Sequence, residues 1–468
     1  MKKIIAGLVI ALIVGFIFIK FSESNDLEKA NTAYNEKKYD MAFPIYEKAA
    51  NQGHQQAQDK LGDMYYYGFG VEKDYKKAFE WFEKAANQGY QQAQFSLGIM
   101  YEKGKGVEKD YKKAFELFEK AANQGNAKAQ FNLGIMYQEG IAVEKDYKKA
   151  FEWFEKAANL GYQEAQYNLG FMYHEGIAVE KDYKKAFEWF EKAANQGYQE
   201  AQYNLGIMYQ EGIAVEKDYK KAFEWFEKAA NQGYQEAQYN LGFMYHEGIA
   251  VEKDYKKAFE LFEKAANQGN AKAQFNLGIM YQEGITVEKD YKKAFEWFEK
   301  AANLGYQEAQ YNLGFMYHEG IAVEKDYKKA FEWFEKAANQ GYQEAQYNLG
   351  IMYQEGIAVE KDYKKAFEWF EKAANQGYQE AQYNLGFMYH EGIAVEKDYK
   401  KAFELFEKAA NQGHQQAQFN LGIMYQEGIA VEKDYKKAFE WFERACKNGF
   451  NDSCLTINRL KLGIPVWR

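Results

Sequence analysis

The sequence predicts an all-α fold: a right-handed α/α superhelical solenoid of eleven 36-residue helical pairs, preceded by an N-terminal apolar helix and a helical cap. Three observations carry this reading. Val-Glu-Lys-Asp recurs at a constant step of 36, from Val71 through Val215 to Val431, eleven times without an insertion. A fixed period of about 20 to 50 residues is the signature of stacked units, each touching mainly its neighbours and unable to bury its apolar face alone. Apolar residues inside each unit fall at helical spacings. Finally, the two prolines, Pro44 and Pro465, lie outside the repeats, which leaves the array free of helix breakers.

Residues 1–25 read as a membrane anchor or signal segment. Lys2 and Lys3 precede an uncharged apolar run over 4–19, and Glu23, Asp26 and Glu28 follow it. The positive-inside rule then puts the start in the cytoplasm and the rest outside. The run spans only about 24 Å as a helix, short of a hydrocarbon core of about 30 Å, a gap that Lys3 and Lys20 can close by snorkelling. Ser22 and Ser24 leave cleavage open as the alternative, giving a secreted or periplasmic chain. Residues 26–53 read as a capping helical pair, with Ala30, Tyr34, Tyr39, Ala42, Phe43 and Tyr46 at helical spacings. Eleven repeats then occupy 54–449, and a capping helix and tail occupy 450–468.

The unit at 198–233 shows the local logic. Ala201, Leu205 and Met208 make one stripe of a helix A over 199–210. Gly206 in mid-helix costs about 1 kcal/mol against alanine unless a neighbouring helix needs the space. Gly212 is placed to stop helix A, and Asp218 to cap helix B through the amides of Lys220 and Lys221. Helix B is expected to bury Tyr219, Ala222, Phe223, Phe226, Ala229 and Ala230, ending at Asn231-Gln232-Gly233.

These residues, from Ala201-x3-Leu205-Gly206-x2-Tyr209 through Asp218-Tyr219 and Trp225-Phe226 to Ala229-Ala230-x2-Gly233, resemble the Sel1-like repeat family, a relative of the tetratricopeptide fold. The family usually has glycine just before the valine; Gly70 and Gly106 keep it, eight repeats carry alanine and one carries Thr286. That replacement predicts a loop with no need of a positive φ. The resemblance also implies that helix A lines a concave surface into which Glu200, Tyr203, Ile207 and Gln210 point. Cys446 and Cys454, the only cysteines, resemble in spacing the bridge of the secreted, cysteine-rich branch of the family, with reduced thiols as the alternative.

Residues 126–269 and 270–413 are one 144-residue block printed twice, differing only at Ala142 and Thr286. Within it, Ile-Met-Tyr-Gln alternates with Phe-Met-Tyr-His, giving Ile207/Gln210 beside Phe171/His174, Phe243/His246, Phe315/His318 and Phe387/His390. The variable members are i, i+3 and share a helix face. They are the candidate partner-binding residues, although contact between neighbouring helices A would also explain them. A second coupled pair, Trp153 with Tyr162 and its equivalents, is replaced elsewhere by Leu117 with Asn126, and is expected to pack together across the turn.

The unit at 198–233 has six acidic and four basic side chains, and the chain as a whole carries −9. That excludes a basic stripe for nucleic acid. No catalytic residues, metal site or cofactor are expected. None of the four serines, Ser22, Ser24, Ser96 and Ser453, lies in a nucleophile motif, and the ladder histidines stand 72 residues apart. The expected function is a non-enzymatic scaffold of a bacterial cell, single-pass in the cytoplasmic membrane, whose repeats hold a protein, peptide or cell-envelope partner on the periplasmic or extracellular side. The alternative is β-lactam binding or β-lactamase-like activity, as the cysteine-rich branch implies.

Overall fold

The computed structural model describes residues 26–461, whose regular structure is helical throughout. The expected anchor over 1–25 and the end of the tail over 462–468 lie outside the described residues. Among the described residues no helix is long and apolar enough to cross a membrane. The chain divides into two compact units, Met1–Gln232 and Gly233–Arg468. The first is a stack of antiparallel pairs from the helices at 26–35 and Tyr39–Asn51 to those at Gln199–Glu211 and Tyr219–Asn231. The second runs from Gln235–Glu247 and Tyr255–Asn267 to Tyr435–Lys447, and Asn451–Lys461 packs on its last helix B.

Each repeat is built as its residues dictate. Helix A, Gln199–Glu211 in the unit taken above, ends at Gly212, whose φ of 73° is the left-handed stop. Asp218 caps helix B, accepting from the Lys220 and Lys221 amides at 3.0 and 3.1 Å. Ala201, Leu205, Ala222, Phe226 and Ala229 are fully buried. A buried phenylalanine contributes about 2–3 kcal/mol. Gly206 makes room for that ring: a Cβ there would stand 2.5 Å from Phe226 Cδ1. The close approach expected at this glycine therefore comes from helix B of the same repeat.

Three expectations are corrected. Tyr219 is not buried but 41% exposed, because the first residue of helix B lies beside the solvent-facing loop; Lys217 Nζ sits 5.5 Å from its ring centre. The loop position before the valine does need a positive φ. Ala142, Ala178 and Ala214 have φ of 62–63° and Thr286 has 65°, the same region as Gly70 and Gly106. The turn leading to the capping aspartate imposes the conformation, so the alanine repeats carry a cost of about 1 kcal/mol each that glycine avoids. Finally, Trp153 and Tyr162 reach the preceding helix A, Ala127–Glu139, separately. Trp153 packs on the buried cluster that includes Ala129 and Leu133, and Tyr162 on Phe131 at 5.2 Å. Among the described residues no ring contact joins Trp153 to Tyr162.

A polar ladder joins the repeats. Gln202 is 5% exposed and donates to Ala194 O at 3.1 Å, while its own Oε1 accepts from Gln232 Nε2 at 2.7 Å. The Gln196–Gln166 and Gln376–Gln346 pairs repeat the geometry within their own units. At Leu160 and Leu304 the donor is absent, and Oε1 of Gln130 and Gln274 is left buried without a partner. At the C-terminal end Cys446 and Cys454 are disulfide-bonded with Cα atoms 4.8 Å apart, tying the last helix B to the helix Asn451–Lys461.

Candidate binding surface

Helix A has a buried side and an outward side. In Gln163–Glu175, Glu164, Asn168, Phe171 and Glu175 share one face at i, i+4, i+7, i+11, with Phe171 and Glu175 exposed and Glu164 and Asn168 half-buried. The alternating ladder lies on this face. Phe171 is 43% exposed, and Phe243, Phe315 and Phe387 are 41–42% exposed. Such large rings in water at a fixed position in every second repeat are not core packing.

The polar member of each step positions the glutamate after it. His174 Nδ1 lies 2.7 Å from Glu175 Oε1, and His246, His318 and His390 make the same contact with Glu247, Glu319 and Glu391. Gln210 does likewise, donating to Glu211 Oε1 at 2.9 Å. The His174 ring also stands edge-on to Tyr183 at 5.1 Å. Phe171, His174, Glu175, Phe190, Asn204, Ile207 and Met208 enclose a cavity of about 240 Å³ between neighbouring repeats. The Ile/Gln repeat thus supplies the far wall of a cleft whose aromatic wall belongs to the Phe/His repeat. The same seven residue types stand at Phe243 to Met280, Phe315 to Met352 and Phe387 to Met424.

Tyr203 is placed differently from the other candidates. It is half-buried with its ring 5.7 Å from Phe226, so it is as much packing as surface. Its counterpart Tyr167 is hydrogen-bonded by Asn204 of the next repeat, and burial raises the pKa of its hydroxyl. Tyr198 is pushed up to about 12 by burial and then by Glu200. Tyr167 and Tyr198 meet at 5.2 Å, so this row of tyrosines ties one helix A to the next.

The first repeat departs from the pattern in a way that the sequence analysis missed. Asp59 and Asp63 occupy the positions of Tyr203 and Ile207, on the helix Gln55–Tyr67. Asp59 is 1% exposed, and burial, then Asp63, raises its pKa to about 7. Lys60 holds Asp63 at 3.4 Å. A second cavity, of about 150 Å³, is lined there by Asp63, Tyr66, Gln92, Ser96 and Lys128 among others. Comparing Asp59-Lys60-x-x-Asp63 with Tyr203-Asn204-x-x-Ile207 would have exposed the change. Among the described residues no cluster of histidine, cysteine or carboxylate side chains is placed to hold a metal ion.

Tandem helical pairs that present one repeated face define a helical-repeat scaffold. The Sel1 repeat family matches at 36–54 and then in eleven consecutive segments from 55–90 to 415–450, and the chain belongs to that family. The segment read as a cap therefore contains part of a further copy. Among solved structures, the chain is similar to a protective antigen present in uropathogenic Escherichia coli strains that displays an SLR fold. Identity is 39%, over 90% of this chain and 91% of that one, with a TM-score of 0.81. A Sel1 repeat protein from Oxalobacter formigenes matches at 34% identity over 66% of this chain and 89% of its own, with a TM-score of 0.50. None of the curated proteins compared with the chain matches it.

Proposed function

We propose that the chain is a non-enzymatic scaffold that holds a protein, peptide or cell-envelope partner on the outward face of helix A, outside the cytoplasmic membrane. The observation that carries the binding surface is the set of exposed Phe171, Phe243, Phe315 and Phe387 rings, the first at one wall of an inter-repeat cleft whose lining residue types recur in sequence at the other three. Binding energy at such surfaces concentrates on aromatic anchors seated in pockets. The placement outside the membrane rests on the charge asymmetry around residues 4–19, and the similarity to a protein described as a protective antigen supports it.

Site-specific photo-crosslinking tests the surface. A crosslinker at Phe243 is expected to capture the partner, whereas one at exposed Glu224 of helix B is not. Capture from Glu224 alone would move the binding surface to helix B.

One observation favours the β-lactam alternative: Ser96 shares the 150 Å³ cavity with Lys128 and Tyr66. A serine nucleophile needs a base within hydrogen-bond reach. No hydrogen bond joins Ser96 to Lys128 or Tyr66 among the described residues. The scaffold reading expects no β-lactam turnover by the full chain; turnover abolished by Ser96→Ala would replace it.

A further inference from the structure

We infer that the Phe171, Phe243, Phe315 and Phe387 steps are sockets for the cationic side chains of an extended, basic segment of the partner. This rests on the helix A face being the binding surface and gives its ligand a chemistry. Charge is the first observation. In the unit at 198–233, helix A carries Glu200 and Glu211 and no base, while the charges of the loop and of helix B cancel. The negative charge added by such repeats therefore gathers on the face that holds the ladder, except beside Phe243, where Lys272 of the next helix A replaces the glutamate and lies 6.0 Å from the Tyr239 ring centre.

The second observation concerns the rings. The protein places its own cations over exposed tyrosine and half-buried tryptophan: Lys181 Nζ is 5.5 Å from the Tyr183 ring centre, and Lys192 Nζ is 3.7 Å from that of Trp189. Lys185 covers Tyr173 at 5.1 Å. Among the described residues no lysine or arginine lies over Phe171, Phe243, Phe315 or Phe387. These are open aromatic faces beside a carboxylate that the neighbouring histidine already orients. A guanidinium there stacks on the ring and pairs with Glu175 or its equivalent, two interactions that reinforce each other in a cleft.

A third observation concerns three of the four Phe/His helices. Oε2 of Glu164, Glu308 and Glu380 is buried without a hydrogen-bond donor. All three belong to Phe/His helices, about two turns before Phe171, Phe315 and Phe387; Glu236, at the same place before Phe243, accepts from Gln235 Nε2 at 2.9 Å and is not among them.

The test uses the full chain in detergent and a fluorescent peptide of alternating arginine and leucine, with binding read by anisotropy. Saturable binding that weakens with salt is expected. Converting the four phenylalanines to isoleucine, which neighbouring repeats already hold, should weaken it at least about tenfold, as should Glu175→Gln, Glu247→Gln, Glu319→Gln and Glu391→Gln together. The charge-matched set Glu188→Gln, Glu260→Gln, Glu332→Gln and Glu404→Gln on helix B should change it by less than about twofold. Equal losses from both glutamate sets would mean diffuse attraction and overturn the socket. Preference for a glutamate-leucine peptide, lost with the phenylalanines, would overturn the cationic ligand yet keep helix A as the binding face. Absence of binding by the arginine peptide overturns the inference alone, because the crosslinking result does not depend on it.

Discussion

Leu160 and Leu304 each interrupt the glutamine ladder at the same place in the duplicated block. Their side chains are 58% and 57% exposed, and Gln130 and Gln274 lose the donor that holds every neighbouring Oε1. An orphaned buried acceptor costs about 1–3 kcal/mol. Leu160→Gln with Leu304→Gln should therefore raise stability by about 1 kcal/mol per site, read as a higher denaturant midpoint at unchanged slope. No gain would mean that water already serves Gln130. The cost at Gly206 has the opposite sign. Since even a Cβ meets Phe226, Gly206→Leu should cost about 1–3 kcal/mol by overpacking. Hydrogen exchange should rise near that repeat; a uniform rise along the array would contradict the nearest-neighbour picture. Asp59 gives a pH dependence. Its folded pKa of about 7 lies above the ordinary carboxylate value, so its contribution is full below about pH 4 and is lost as pH rises through 7. The first repeat should loosen over that window, and Asp59→Asn should flatten the profile.

At the scale of the helix, boundaries and stripes were legible because they depend on short-range chemistry: Gly212 as a stop, Asp218 as a cap, and Ala201, Leu205 and Met208 as the buried stripe. What failed depended on neighbours. Tyr219 looks like core by spacing, yet the loop beside it leaves it in solvent with Lys217. Ala214 looks like evidence for a relaxed loop, but closing the turn onto Asp218 forces a φ of 63°. Ala214→Gly should relieve that strain, with a gain below about 1 kcal/mol because glycine also loosens the unfolded chain. A rise in exchange at the Lys220 and Lys221 amides would show instead that the alanine rigidifies the cap. The inter-repeat glutamine ladder was hidden for another reason: its partners stand 30 residues apart, beyond any single-helix pattern.

For the whole molecule, the 36-residue period made the fold legible, and the alternation inside it made the candidate face legible. Which residues of that face are exposed was not. Phe171 and Tyr203 are both aromatic helix A residues, but only the packing of helix B separates an open ring from a half-buried one. The proposed placement outside the membrane predicts that Glu224→Cys is labelled by an impermeant thiol reagent in intact or outer-membrane-permeabilised cells. Labelling only after lysis would contradict it.

The central claim is that the Phe/His steps together hold the partner, and the most direct measurement is a titration of steps. Variants in which one, two, three and then all four of Phe171/His174, Phe243/His246, Phe315/His318 and Phe387/His390 become Ile/Gln are compared for affinity toward the crosslinked partner. Neighbouring repeats already carry those residues, so helicity and melting should not change. Multivalency predicts a loss that steepens with each step. Affinity unchanged after all four conversions, with the fold intact, would show that the ladder is packing alone and that the partner uses another face.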